Sequence, residues 1–200
     1  MANKTTLPTF WIAFGIIAVI IIVLAGFLIS AYNGFVTLDQ DVNAKWSEVE
    51  NQYQRQADLI PNLVSVVSSA VTVETKFVTD VTNARSQWQA ARNQLDKDTS
   101  GVQMNNGIAA LINAVATAEN YPVLQANRQY VALTDELVGT QNRITVARGR
   151  YIESIQSFNT AVKRFPGNVI SGMFGFSGKD YYQAAVSSLN TTQLGTGQLP

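Results

Sequence analysis

The chain is 200 residues long, 46% apolar, and balances 14 basic against 14 acidic side chains. That neutrality excludes the electrostatic footprint of a nucleic-acid binder and the polybasic cluster that grips anionic lipid. There is no His and no Cys, which removes disulfides, thiolate nucleophiles, Cys- or His-ligated metals and every Ser-His or Cys-His catalytic arrangement.

Phe10 to Ala31, FWIAFGIIAVIIIVLAGFLISA, carries no charge. A helix rises about 1.5 Å per residue, so about 20 apolar residues cross a hydrocarbon core of about 30 Å. Phe10, Ile16, Ile20, Leu24, Phe27 and Ile29 belong to that span, and Trp11 and Tyr32 flank it as interfacial rings do. A cleaved signal peptide fits poorly: the apolar run is too long, only Lys4 precedes it, and Ile29-Ser30-Ala31 is a poor cleavage site. A buried core helix fits no better, because no polar stripe faces water. Lys4 before the span and Lys45 after it leave the orientation open. Gly26 and Ser30 form a small-xxx-small pair through which two anchors could approach.

The span is expected to run without a linker into a first soluble helix. Its seam is Phe35, Val42, Trp46, Val49, Tyr53 and Ile60, at steps of three, four and seven residues. Pro61 lacks an N–H and pushes Ile60 away from helical geometry, so a kink or tight turn is expected there, opening a second helix. That helix reads through Leu63, Val66, Ala70, Val73, Phe77, Val81, Ala84, Trp88, Ala91 and Leu95. Asp96 to Gly101 reads as a polar break, with Ser100-x-x-Gln103 as a capping box for a short third helix through Ile108, Leu111, Ile112 and Val115. Asn120-Tyr121-Pro122 ends it.

A long fourth helix is expected from about Val123 to Phe165. Its seam is Leu124, Tyr130, Leu133, Leu137, Ile144, Ala147, Tyr151, Ile155, Phe158, Val162 and Phe165. Gln141, Arg148 and Asn159 fall near the same face, where buried polar groups fix register. Glu48, Glu50 or Glu74 could pair with Arg148. Phe165-Pro166-Gly167 ends the helix. The Gly- and aromatic-rich stretch from Asn168 to Tyr182 reads as an ordered loop whose Met173, Phe174 and Phe176 could cap the core, touch lipid or meet a partner, with capping the expectation. Ser187 to Pro200 has the composition of a disordered tail.

No phosphate-binding glycine loop, zinc motif, calcium loop or nucleophile elbow occurs. The order of residues resembles the LemA family. The run Tyr32 to Asp39 (YNGFVTLD) after the span carries the resemblance, with Trp46-Ser47-Glu48-Val49 and Arg55-Gln56-Ala57-Asp58-Leu59-Ile60-Pro61-Asn62-Leu63-Val64. Further along, so do VTNAR at 81–85, ENYPVLQA at 119–126 with Tyr121 and Pro122, Ala147-Arg148 with Tyr151, Phe158-Asn159-Thr160, Phe165-Pro166 and Phe174-Gly175-Phe176. The usual paired arginine of the family is Arg55-Gln56 here, and its Tyr-Asn is Tyr151-Ile152. The resemblance implies an antiparallel bundle of long helices on a bacterial membrane, no catalytic residues and no cofactor. Some relatives are associated with membrane shaping or envelope processes.

The expected architecture is all-α: an N-terminal transmembrane helix (1–31) continuing into an antiparallel bundle of about four long helices (32–182), then a tail (183–200). The expected function is a membrane-anchored scaffold or interaction protein in the bacterial cytoplasmic membrane. It would be non-enzymatic, partnered by the lipid bilayer, copies of itself and other envelope proteins, with no nucleic acid or small-molecule substrate. The alternative is an accessory subunit of another envelope protein, such as a membrane protease or transporter.

Overall fold

A computed structural model describes residues 9–69, 75–117, 124 and 126–181, with the side chains of Thr9, Phe10 and Thr117 excepted. These form five principal helices and no strand among the described residues: α1 Thr9–Ser69, α2 Thr75–Ala90, α3 Gln94–Thr117, α4 Arg128–Lys163 and α5 Gly167–Phe174. The all-helical expectation holds. The chain divides into two compact units, one made of residues up to Ala44 with Ile152–Tyr181, the other of Lys45–Tyr151.

In the Lys45–Tyr151 unit the contacts give the direction of each helix. Glu50 pairs with Lys97, and the Tyr53 ring lies against Gly101, so α1 and α3 run the same way. Tyr53 faces Trp88 and Ala57 faces Arg85, so α2 runs against α1. Asp98 meets Arg148 and Gln94 meets Tyr151, so α4 runs against α3. The result is an up-down-up-down four-helix arrangement. Its core takes Val49, Tyr53, Ile60 and Leu63 from α1, Val81 and Trp88 from α2, Met104, Ile108, Leu111 and Val115 from α3, and Leu137 and Ile144 from α4, all buried. Leu133 and Trp46 are half-buried.

Several expected boundaries are wrong. Pro61 neither ends a helix nor starts one; it lies inside α1, which continues to Ser69. A proline removes the hydrogen bond to the carbonyl four residues earlier, here Ala57, and Arg85 Nε donates to that carbonyl at 2.9 Å. A side chain from α2 thus replaces the missing backbone donor. The polar break expected at Asp96–Gly101 lies within α3; the chain turns earlier, at residues 91–93. Asn93 caps α3, its Oδ1 accepting from the Asp96 N–H and its Nδ2 donating to the Asp96 carboxylate, both at 2.8 Å. Ser100 caps nothing: its hydroxyl donates back to the Asp96 carbonyl at 2.6 Å. Leu95 is consequently exposed rather than part of a seam. The fourth helix begins at Arg128, where Asn127 Oδ1 accepts from the Gln129 N–H at 2.9 Å. Ala70, Val73, Tyr121, Pro122 and the tail lie outside the described residues.

In the other unit, Phe35, Val42, Ile155, Phe158, Val162 and Ile170 are buried. Phe165 is 79% exposed, so it does not continue the α4 seam, and Gln141 also faces solvent. The first seven residues of the expected loop, 168–174, are helix. Gly167–Phe174 forms α5, closed by Gly175 in the left-handed region (φ 77°), with the N–H groups of Gly175 and Phe176 both donating to the Ser171 carbonyl. The glycines that suggested a loop include the one that terminates this helix.

Candidate functional site

The most distinctive surface is the first third of α1. Trp11, Ile16, Ile20, Leu24 and Ile29 are each more than half exposed, Phe27 is 49% exposed, and no residue from Trp11 to Ser30 is buried. A continuous apolar surface of this extent is unstable in water and suits the hydrocarbon of a bilayer. A Cβ added at Gly26 would meet nothing within 4 Å, and Ser30 is exposed, so the small-residue face is open.

At the end of the apolar stretch an aromatic cluster begins. Tyr32 packs against Phe174 and Phe176 at 5.0 and 5.8 Å between ring centroids, and Phe176 reaches Phe35 at 5.4 Å and Phe158 at 6.4 Å. Phe176 therefore caps a core as expected, whereas Met173 is 65% exposed and does not. The chain is locked here by Asn159, which is buried and bonds the backbone of Lys179 at both N–H and carbonyl. Lys179 Nζ pairs with Asp39 at 2.7 Å and lies 5.2 Å from the Phe158 ring centroid. Pro166 is exposed and sits at the N-terminal cap of α5.

The Lys45–Tyr151 unit holds the polar residues of the family motifs. Arg148 pairs with Asp98 at 2.6 Å; Glu48 pairs with Lys45 and Glu50 with Lys97, and Glu74 lies outside the described residues. The Arg148 guanidinium carbon lies 5.4 Å from the Tyr53 ring centroid. Burial pushes the Tyr53 hydroxyl well above the ordinary tyrosine value of 10; Arg148 opposes this and Asp98 adds to it. Tyr151 is raised chiefly by burial too, receives a hydrogen bond from Gln94, and packs on Trp46 at 5.4 Å. Arg55 is exposed and pairs with Glu136 at 2.7 Å. Asp58 accepts from Gln54 at 2.8 Å on the surface, Leu59 is half-buried, Ile60 is buried and Asn62 exposed. Among the described residues no three His, Cys, Asp or Glu side chains are grouped as metal ligands would be. Glu48, Asn51, Gln52, Asn142, Arg143 and Arg150 line an open groove of about 500 Å³ between α1 and α4.

Sequence reasoning missed Asp98, Arg85 and Lys179. Asp98 was absorbed into an expected break, and Arg85 carries no local signal of its 28-residue reach to Ala57.

The sequence model of the LemA family matches residues 45–193. Two magnetosome proteins of Paramagnetospirillum magneticum, MamQ 1 and MamQ 2, are each 24% identical to the chain, over 86% of its length and 73% of theirs. Magnetosome protein MamQ of Magnetospirillum gryphiswaldense is 25% identical over 78% of the chain and 65% of its own length. These matches and the exposed apolar start of α1 identify a membrane-associated helical protein.

Proposed function

The chain belongs to the LemA family, and from that membership we propose that it is a non-enzymatic scaffold, anchored by one span in a bacterial cytoplasmic membrane and assembling with copies of itself. The observation that carries this reading is the continuity of α1. One helix runs from Thr9 through the apolar stretch to Ser69 with no break between them. No flexible linker separates the apolar stretch from the helix that follows it, which suits a structural element. Self-assembly is assigned to the open face at Gly26 and Ser30, where small side chains allow close helix approach.

The test is the mass of the detergent-solubilised full-length protein beside a fragment beginning at Tyr32. A defined oligomer that is lost in the fragment and in Gly26→Leu or Ser30→Leu supports the reading. Monomers in both preparations, across several mild detergents, sink self-assembly.

The polar groove along α1 and α4 favours a second reading, an accessory subunit of another envelope protein that docks there. Co-purification of one stoichiometric partner, abolished by Arg143→Glu with Arg150→Glu, is its signature.

A further inference from the structure

Three exposed apolar side chains lie at and just before α5: Phe165 in the turn that precedes the helix, and Val169 and Met173 one turn apart on α5 itself. They are 79, 55 and 65% exposed. The opposite face of α5 carries Ile170 and Ser171, which are 4 and 2% exposed. The helix is thus fixed to its unit by one side and turns an apolar stripe outward.

The surroundings of α5 say what covers that stripe. Phe165, Pro166 and Ile170 line a groove of about 380 Å³ together with Phe27 and Ala31, the last turns of the apolar span. A core of about 30 Å takes roughly 20 residues at 1.5 Å each. Counted from Trp11, it therefore reaches about Ser30. Phe27 lies inside it, and a ring that shares a groove with Phe27 lies at the level where hydrocarbon gives way to headgroups. Arg164, on the same groove, is exposed and makes no ion pair among the described residues, as suits a cation at headgroup depth. The C-terminal end of α5 returns to the same level, since Phe174 packs on the interfacial Tyr32. Gly167 makes the arrangement possible: a Cβ there would collide with the Ala161 carbonyl and come within 3.4 Å of the Phe35 ring.

We propose that α5 lies in the membrane interface, with Val169 and Met173 of its outward face and the preceding Phe165 inserted among phospholipid acyl chains as a second contact beside the span. Burial of apolar area drives the contact, so it needs no polybasic patch. Two points of attachment suppress the swivelling that one helix in a fluid bilayer allows. The inference rests on the anchoring of α1 in the bilayer.

The chain has no Cys, so single spin labels can be placed in the full-length protein by Phe165→Cys, Val169→Cys and Met173→Cys. Ile20→Cys reports the span, and Gln141→Cys reports an exposed polar position. Each variant is reconstituted in vesicles of phosphatidylcholine and phosphatidylglycerol, and its accessibility to oxygen is compared with that to a water-soluble nickel chelate. The expected result is an oxygen-to-nickel ratio several-fold above that of Gln141→Cys at all three α5 positions and at Ile20. Ratios at the α5 positions equal to that of Gln141→Cys, with Ile20 in lipid, overturn this inference and leave the anchor standing. Shielding from both reagents means that protein covers the stripe and overturns it in favour of a second copy. An aqueous Ile20 removes the anchor and this inference together.

Discussion

The carboxamide of Asn159 holds the backbone of Lys179 from both sides: the Lys179 N–H donates to Oδ1, and Nδ2 donates to the Lys179 carbonyl, each at 2.7 Å. An amide is the side chain that offers donor and acceptor in one plane. Because Asn159 is buried, removing it leaves two backbone groups to find water or open. Asn159→Ala should accelerate hydrogen exchange of the Lys179 amide by roughly ten-fold or more, each lost bond contributing about 1 kcal/mol. Asn159→Asp keeps the acceptor and loses the donor, so it should fall between wild type and Ala. Unchanged exchange in Asn159→Ala would count against this clasp.

Arg85 should matter only because of Pro61. Arg85→Met leaves the Ala57 carbonyl, itself in a buried residue, without a donor and should cost about 1–3 kcal/mol in unfolding experiments. Pro61→Ala restores the backbone N–H that pairs with Ala57. In that background Arg85→Met should cost at least about 1 kcal/mol less, a coupling read from a double-mutant cycle. Additivity of the two changes would show that the guanidinium does not compensate for the proline.

The Arg148–Asp98 pair is predicted to set register more than stability. Asp98 is 4% exposed, so Arg148→Met should destabilise by about 3–5 kcal/mol through the carboxylate left unpaired. Replacing both with apolar residues of similar volume should restore most of that stability. The informative readout is the double variant: if it is as unstable as the single one, the pair contributes attraction beyond mutual neutralisation.

Alkali should unfold the protein through its buried tyrosines. Tyr53, Tyr130 and Tyr151 are all raised, first by burial, above the ordinary value of 10. The folded state therefore keeps their protons at a pH where the unfolded chain has released them. The linked stability is complete below about pH 10 and declines as pH rises beyond it. Tyr53→Phe should flatten this decline, measured as thermal midpoint against pH from about 8 to about 11.5, a range that brackets the ordinary value. An equal slope in the variant would remove Tyr53 from the account.

Helix faces were legible in the sequence because burial follows helical spacing. Phe35, Val42, Val49, Tyr53 and Ile60 stand at steps of seven, seven, four and seven residues, and all are buried. Boundaries were less legible because each depends on a partner far along the chain. Pro61 carries a local signal to stop, and its remedy is 24 residues away at Arg85. Gly101 reads as a break, yet it stays helical where a Cβ would come within 2.6 Å of the Tyr53 ring. Asn93-x-x-Asp96 and Ser100-x-x-Gln103 are both capping patterns, and only the first occupies a helix start. The apolar stretch of α1 was plain from composition, whereas the glycines near α5 gave no sign of its outward face.

Synthesis runs from the amino terminus, and this gives the Ala57 carbonyl a history. When residues 45–69 leave the ribosome, the donor that completes their helix has not yet emerged. Water must hold that carbonyl until Arg85 has emerged and α2 has folded back. The far end of α1 is therefore finished by its neighbour, after the anchor is already available to the membrane. A chain stopped between Pro61 and Arg85 would hold its span intact and its helix with a gap.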